Sequence, residues 1–152
     1  DLKEQMEGHA KAYEFEKAQA IKEKIALLER YQAKSTIVNP KLGELDVFTI
    51  IDGEEAAFVN FLKVAHGAII QAYTVEIRKK LEETPQELLA IAVFDLRRRL
   101  ASEAGEILVP FTLDLDIPGV TMTVPKIGDK KHLLDLSERN AKYYKLENEK
   151  QL

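Results

Sequence analysis

The sequence predicts an α+β protein: a helical pair at the N-terminus followed by one mixed domain of strands and helices. Three observations predict it. Apolar residues recur at helical spacing between residues 2 and 31. They alternate at strand spacing from 45 to 78, between turn signals. Beyond that, a capped helix, two short extended runs and a last helix complete the order β-β-β-α-β-β-α.

The first helix covers residues 2–11, with Leu2, Met6 and Ala10 four apart. The second covers 14–31, where Phe15, Ala18, Ile21, Ile25 and Leu28 form one stripe. The 18-21-25-28 steps follow the 3-4-3 rhythm of a helix seam. Lys34-Ser35-Thr36 breaks the pattern and Asn39-Pro40-Lys41-Leu42-Gly43 is a loop, so the boundary falls near residue 34. The domains are thus 1–34 and 35–152.

Leu45 to Ile51 is the first strand, and Asp52-Gly53 signals a hairpin. Ala56 to Val64 is the second, turning at His66-Gly67 into a third from Ala68 to Arg78. Strict alternation there puts Ile69, Gln71, Tyr73, Val75 and Ile77 on one face. Thr84-Pro85-Gln86-Glu87 opens a helix with a capping box and proline at the first helical position. Leu88, Leu89, Ala92, Val93, Leu96 and Leu100 are its buried face, and Gly105 is expected to end it. Glu106 to Val109 and Val120 to Val124 are short strands. A final helix is expected over about 130–146, capped by Asp129, before the charged tail Glu147-Asn148-Glu149-Lys150.

Composition narrows the class. At 152 residues, 45% hydrophobic and 32% charged, the chain suits one ordinary domain with an appendage. No apolar run approaches 18 residues, so nothing is expected to span a membrane, and no secretion signal is visible. The absence of Cys excludes disulfides and thiolate metal sites and suits a cytoplasmic location. The chain opens on Asp1-Leu2-Lys3-Glu4 without an initiator methionine, which suggests an excised piece of a longer protein. The net charge of −4 lacks the basic excess of a duplex-binding domain, so any contact with nucleic acid should be local or weak.

Chemical constellations are sparse. His9, His66 and His132 sit in three elements without ligand spacing. Asp114-Leu115-Asp116 puts two carboxylates on one face of an extended segment, where solvated loop acids outweigh a cation site. No nucleophile elbow or glycine-rich phosphate loop is present. Lys126, Lys130 and Lys131 flank Gly128-Asp129 at a helix start, where free N–H groups favour a phosphate. Asp129 as the cap competes for those N–H groups. No metal site is expected.

Met6, His9-Ala10, Tyr13, Phe15-Glu16, Ala18, Lys22-Glu23 and Ile25 together resemble the UVR motif of bacterial nucleotide-excision-repair proteins. Val124-Pro125-Lys126-Ile127-Gly128-Asp129-Lys130-Lys131, Leu133-Leu134-Asp135-Leu136-Ser137 and Asn140-Ala141 are similar to a signature segment of the UvrC family, the nuclease component of the UvrABC excinuclease, with Ser137 where Ala is common. The resemblance covers nearly the whole chain. It implies a UVR hairpin over 1–34 and, over 35–152, a middle domain resembling a ribonuclease-H-like fold that lacks its catalytic carboxylates. It implies further that the hairpin binds the C-terminal UVR motif of UvrB, the excinuclease component that holds the damaged DNA. Phe15 and Glu16 would be the main contacts, with Met6, Tyr13, Ala18, Ile21, Lys22 and Ile25 beside them. Self-association through the hairpin is a further expectation. No cofactor is implied for these residues, while the nuclease domains of the full-length protein would use a divalent metal.

Periodicity alone leaves the hairpin stripe equally free to pack back on residues 35–152, and the resemblance favours docking on the partner. The rival function is a nuclease or nucleic-acid-binding domain using Asp46, Asp114 and Asp116 with a metal. A ribonuclease-H-like centre draws carboxylates from the first strand, the first helix and the end of the fourth strand. Here Asp46 stands on the first strand, Glu87 only at the helix cap, and Pro110-Phe111-Thr112 follows the fourth strand without an acid.

Overall fold

A computed structural model describes residues 39–150. The helical pair expected over 1–34, and with it the hairpin contact set, lies outside the described residues. Five strands form one sheet: β1 Leu45–Ile51, β2 Ala56–Ala65, β3 Ala68–Arg78, β4 Glu106–Leu108 and β5 Thr121–Thr123. Their spatial order is β3-β2-β1-β4-β5. The first three pair antiparallel, whereas β1–β4 and β4–β5 are parallel. Helices α1, Pro85–Arg99, and α2, Gly128–Lys150, cover opposite faces.

Alternation along β1 and β2 builds two cores. Phe48, Ile50, Val59 and Phe61 point to α1, meeting Leu88, Leu89, Ala92, Val93 and Leu96. Leu45, Val47, Leu62 and Val64 point to α2, meeting Leu133 and Leu134. Because β1 is central and covered on both sides, it is buried at six of its seven positions, which explains its nearly unbroken apolar run. Phe48, Phe61 and Tyr73 are direct cross-strand neighbours and form an aromatic row, with ring centroids 4.9 and 6.4 Å apart.

The expected face of β3 is corrected at one residue. The ladder slips between Lys63 and Val64: Lys63 opposes Gln71, Val64 opposes Ile69, and Ile70 is the extra residue. This bulge reverses the side-chain phase, so Ile69 joins the α2-side core while Tyr73, Val75 and Ile77 stay on the α1 side. The β2–β3 turn places His66 and Gly67 both at positive φ (54° and 76°), the requirement of a primed two-residue hairpin. A Cβ on Gly67 would lie 2.5 Å from the Asn39 carbonyl, so residues 39–40 lie against this turn as the chain enters the domain.

Three element limits also differ. Helix α1 does not run to Gly105. It stops at Arg99 with Leu100 as C-cap, and Ala101 takes the left-handed conformation at φ 51°. The Ala101 and Ser102 N–H groups close onto Arg98 and Arg97 carbonyls, a helix-ending turn usually given to glycine. Helix α2 starts at Gly128, so Asp129 lies in its first turn, and its carboxylate accepts from Asn39 Nδ2 at 3.1 Å. Its C-terminal end extends to Lys150, with Asn148 bonded to Glu76 at 3.2 Å and Lys145 to the Asp52 carbonyl at 3.3 Å. The charged tail is helix.

Between β4 and β5 a parallel crossover runs without a helix. Leu113 is buried and Phe111, Leu115 and Ile117 pack against the α1-side core, while Asp114 and Asp116 face solvent. An extended strap therefore closes the face beside α1.

Candidate functional site

Two charged groups lie near the residues singled out by sequence. The first centres on Asp46. Its position on β1 alternates with Leu45 and Val47, which turns it to the α1 side, where it is fully buried. Lys63 is its direct cross-strand neighbour on β2, and its Nζ stands 3.5 Å from Oδ1. Arg97 reaches in from the last turn of α1 and donates to Oδ2 at 2.6 Å. Ser102, just past the helix, also donates its hydroxyl to Oδ2 and accepts from Lys63 at 3.1 Å. One buried carboxylate is thus held by a guanidinium, an ammonium and a hydroxyl, as burial of a charge demands.

Asp46, Asp114 and Asp116 therefore do not come together. The latter two are exposed on the strap. Glu87 is exposed in the first turn of α1, where its N–H and carboxylate both engage Thr84 as the capping box predicts. Among the described residues no group of three or more His, Asp or Glu is placed to hold a metal ion. His66 and His132 sit in separate elements. The three carboxylates of the metal-using rival are thus apart, and the one on β1 faces internal donors, Arg97 and Ser102 at Oδ2 and Lys63 at Oδ1.

The second group is the lysine set at the start of α2. Lys130 donates to both oxygens of Glu106, at 3.0 and 2.9 Å, and Thr123 donates to the same carboxylate at 2.7 Å. Burial pushes the Glu106 carboxyl up, but the hydrogen bonds from Lys130 and Thr123 and the lysine charge outweigh it and hold it below its ordinary value. Lys131 pairs with Asp135 one turn on, at 2.9 Å. Lys126 is exposed and has no ion-pair partner among the described residues. Of the three candidate phosphate contacts, two carry an internal counter-charge.

Sequence reasoning missed Arg97, Lys63 and Ser102. A signal for Arg97 existed: within Arg97-Arg98-Arg99 only position 97 stays in phase with buried Leu89 and Val93. Its two neighbours are exposed and pair with Asp95. A lone acid in an apolar strand is the complementary signal.

Fold and site define a mixed-sheet α+β domain in which, among the described residues, no acidic group is gathered to hold a metal ion. The family model described as UvrC Ribonuclease H-like domain matches residues 44–148, and the chain belongs to that family. It is 53% identical over all 152 residues to a Flavobacterium johnsoniae protein named UvrABC system protein C, and 46% identical over 151 residues to one of the same name from Bacteroides fragilis. In each case the chain spans about a quarter (25%) of the relative's length. Against a solved Ciona intestinalis endonuclease V bound to DNA, identity is 13% and the TM-score 0.34, covering 60% of this chain and 46% of that one.

Proposed function

We propose that the chain is a recruitment and scaffold segment of the nuclease component of a nucleotide-excision-repair system. Residues 1–34 form a UVR hairpin that docks on the C-terminal UVR motif of UvrB at damaged DNA, and residues 35–152 form a non-catalytic middle domain. The observation that carries this is the 53% identity, end to end, with a protein named UvrABC system protein C. The internal occupation of Asp46 supports the non-catalytic part, since a two-metal nuclease needs converging, open carboxylates. Phe15 is the aromatic anchor and Glu16 its polar neighbour, with Met6, Tyr13, Ala18, Ile21, Lys22 and Ile25 lining the seam. Lys126 is the lysine best left to meet a DNA phosphate, with Lys130 and Lys131 secondary because of their partners.

Calorimetric titration with the C-terminal UVR hairpin of UvrB tests the docking. Saturable binding is expected, and Phe15→Ala should weaken it by roughly 2 kcal/mol or more, as for an aromatic anchor. An unchanged affinity in Phe15→Ala would sink the model.

A further inference from the structure

We propose that Arg97 fills, from inside the protein, the place a divalent cation takes in metal-dependent ribonuclease-H-like centres, so that the first-strand carboxylate Asp46 serves the fold and binds no metal. This role of Arg97 rests on the non-catalytic reading of residues 35–152 and does not depend on the hairpin docking.

A divalent ion of the hard class takes several oxygen ligands, and a nuclease centre takes them from more than one carboxylate. Asp46 offers Oδ2 to Arg97 at 2.6 Å and to the Ser102 hydroxyl, and Oδ1 faces Lys63 at 3.5 Å. A second acid is missing at each place where one would converge. Glu87 is ten residues before Arg97 on the same helix, about 15 Å along its axis. The strand β4 leads into Val109-Pro110 without an acid, and the strap turns Asp114 and Asp116 to solvent. The described residues do not fit a divalent metal.

Charge gives the same answer. Two cations already face one carboxylate in a site where Asp46 is fully buried and Arg97 and Lys63 have side-chain exposures of 9% and 16%. A third positive centre would be repelled at low effective dielectric. The excess charge of Lys63 is placed well, because Ser102, its other partner, lies two residues past the C-cap of α1, at the carbonyl end that favours cations. A planar guanidinium is also the cation best suited to burial against a carboxylate. Arg97 thereby ties α1 to β1, while Lys63 and Ser102 tie in β2 and the loop after the helix.

The test uses the full chain as wild type, Arg97→Ala, Asp46→Asn and the double variant Asp46→Asn/Arg97→Met. Thermal melts are run in EDTA and in millimolar Mn²⁺, alongside a Mn²⁺ titration read by electron paramagnetic resonance. The wild type should melt at one temperature in both solutions and show no saturable Mn²⁺ binding. Arg97→Ala should melt lower by on the order of 10 °C, and the double variant should recover part of that loss, because it leaves no unpaired buried carboxylate and Lys63 keeps the Ser102 hydroxyl and an amide oxygen at position 46 as acceptors. Saturable Mn²⁺ binding by the wild type that Asp46→Asn removes would overturn the proposal. So would an Arg97→Ala protein that melts with the wild type. Should Arg97→Ala not fold, the double variant and the wild-type titration decide: a double variant that also fails to fold overturns the inference.

Discussion

The two faces of the sheet bury polar groups by opposite means. On the α1 side a single carboxylate is matched by two cations and a hydroxyl. On the α2 side the buried polar groups are neutral. Asn60 on β2 donates to Thr74 Oγ1 at 2.9 Å and to the Tyr73 carbonyl at 3.0 Å. Ser137 on α2 shares a 2.7 Å bond with Thr49 and donates to Asn60 Oδ1 at 2.8 Å. Both clusters join one helix to the central strands. The difference lies in what a single loss leaves behind: a desolvated charge on one face, an unmade hydrogen bond on the other.

That contrast ranks the outcomes of substitution. Asp46→Ala should be the most damaging, at about 3–5 kcal/mol in denaturant unfolding, since it strands two cations in the interior. A loss below about 1 kcal/mol would mean that the ionic cluster is as forgiving as the neutral one. Asn60→Ala should cost less, about 2–3 kcal/mol, by leaving Thr74 and Ser137 short of partners. Ser137→Ala should cost about 1 kcal/mol, because Thr49 loses one bond and Asn60 loses a hydroxyl shared between its Oδ1 and its carbonyl. If Ser137→Ala proved costlier than Asp46→Ala, the distinction between the faces would fail.

Two smaller effects sharpen the picture at the edges of each cluster. Ala101→Gly should stabilise by about 0.5–1 kcal/mol, because the φ of 51° that follows α1 suits glycine. Glu106 supplies the pH test. Its folded pKa lies below the ordinary 4.5, so its contribution is fully present above that value and is lost as pH falls through the folded pKa. Urea midpoints of wild type and Glu106→Gln should therefore differ at neutral pH and converge in acid. A gap that stays constant down the acid range would remove Glu106–Lys130 as the cause.

Local signals carried most of the secondary structure. Alternation between Leu45 and Arg78, the His66-Gly67 turn and the Thr84–Glu87 box each depend on residues within a few positions, and each appears where the sequence puts it. The misplaced features share another origin. Ile69 changes face through a bulge, which is a relation between two strands. Helix α1 ends at Arg99 and not at Gly105, just before a Ser102 hydroxyl that is engaged by Asp46 and Lys63, partners far away in sequence. Asp129 bonds Asn39 across ninety positions, in place of the expected cap.

By itself, then, the sequence determined what backbone propensity and side-chain period govern: the α+β order, the strand phases up to the bulge, the turns, and the family. Tertiary structure alone decided which charges meet. Asp46 reads as a possible metal ligand when isolated in its strand, and its role emerges only when Arg97, 51 positions later, folds over it. The physical reason is that a buried charge takes its meaning from the counter-charges that share its low-dielectric surroundings, and those are gathered by packing rather than by proximity along the chain.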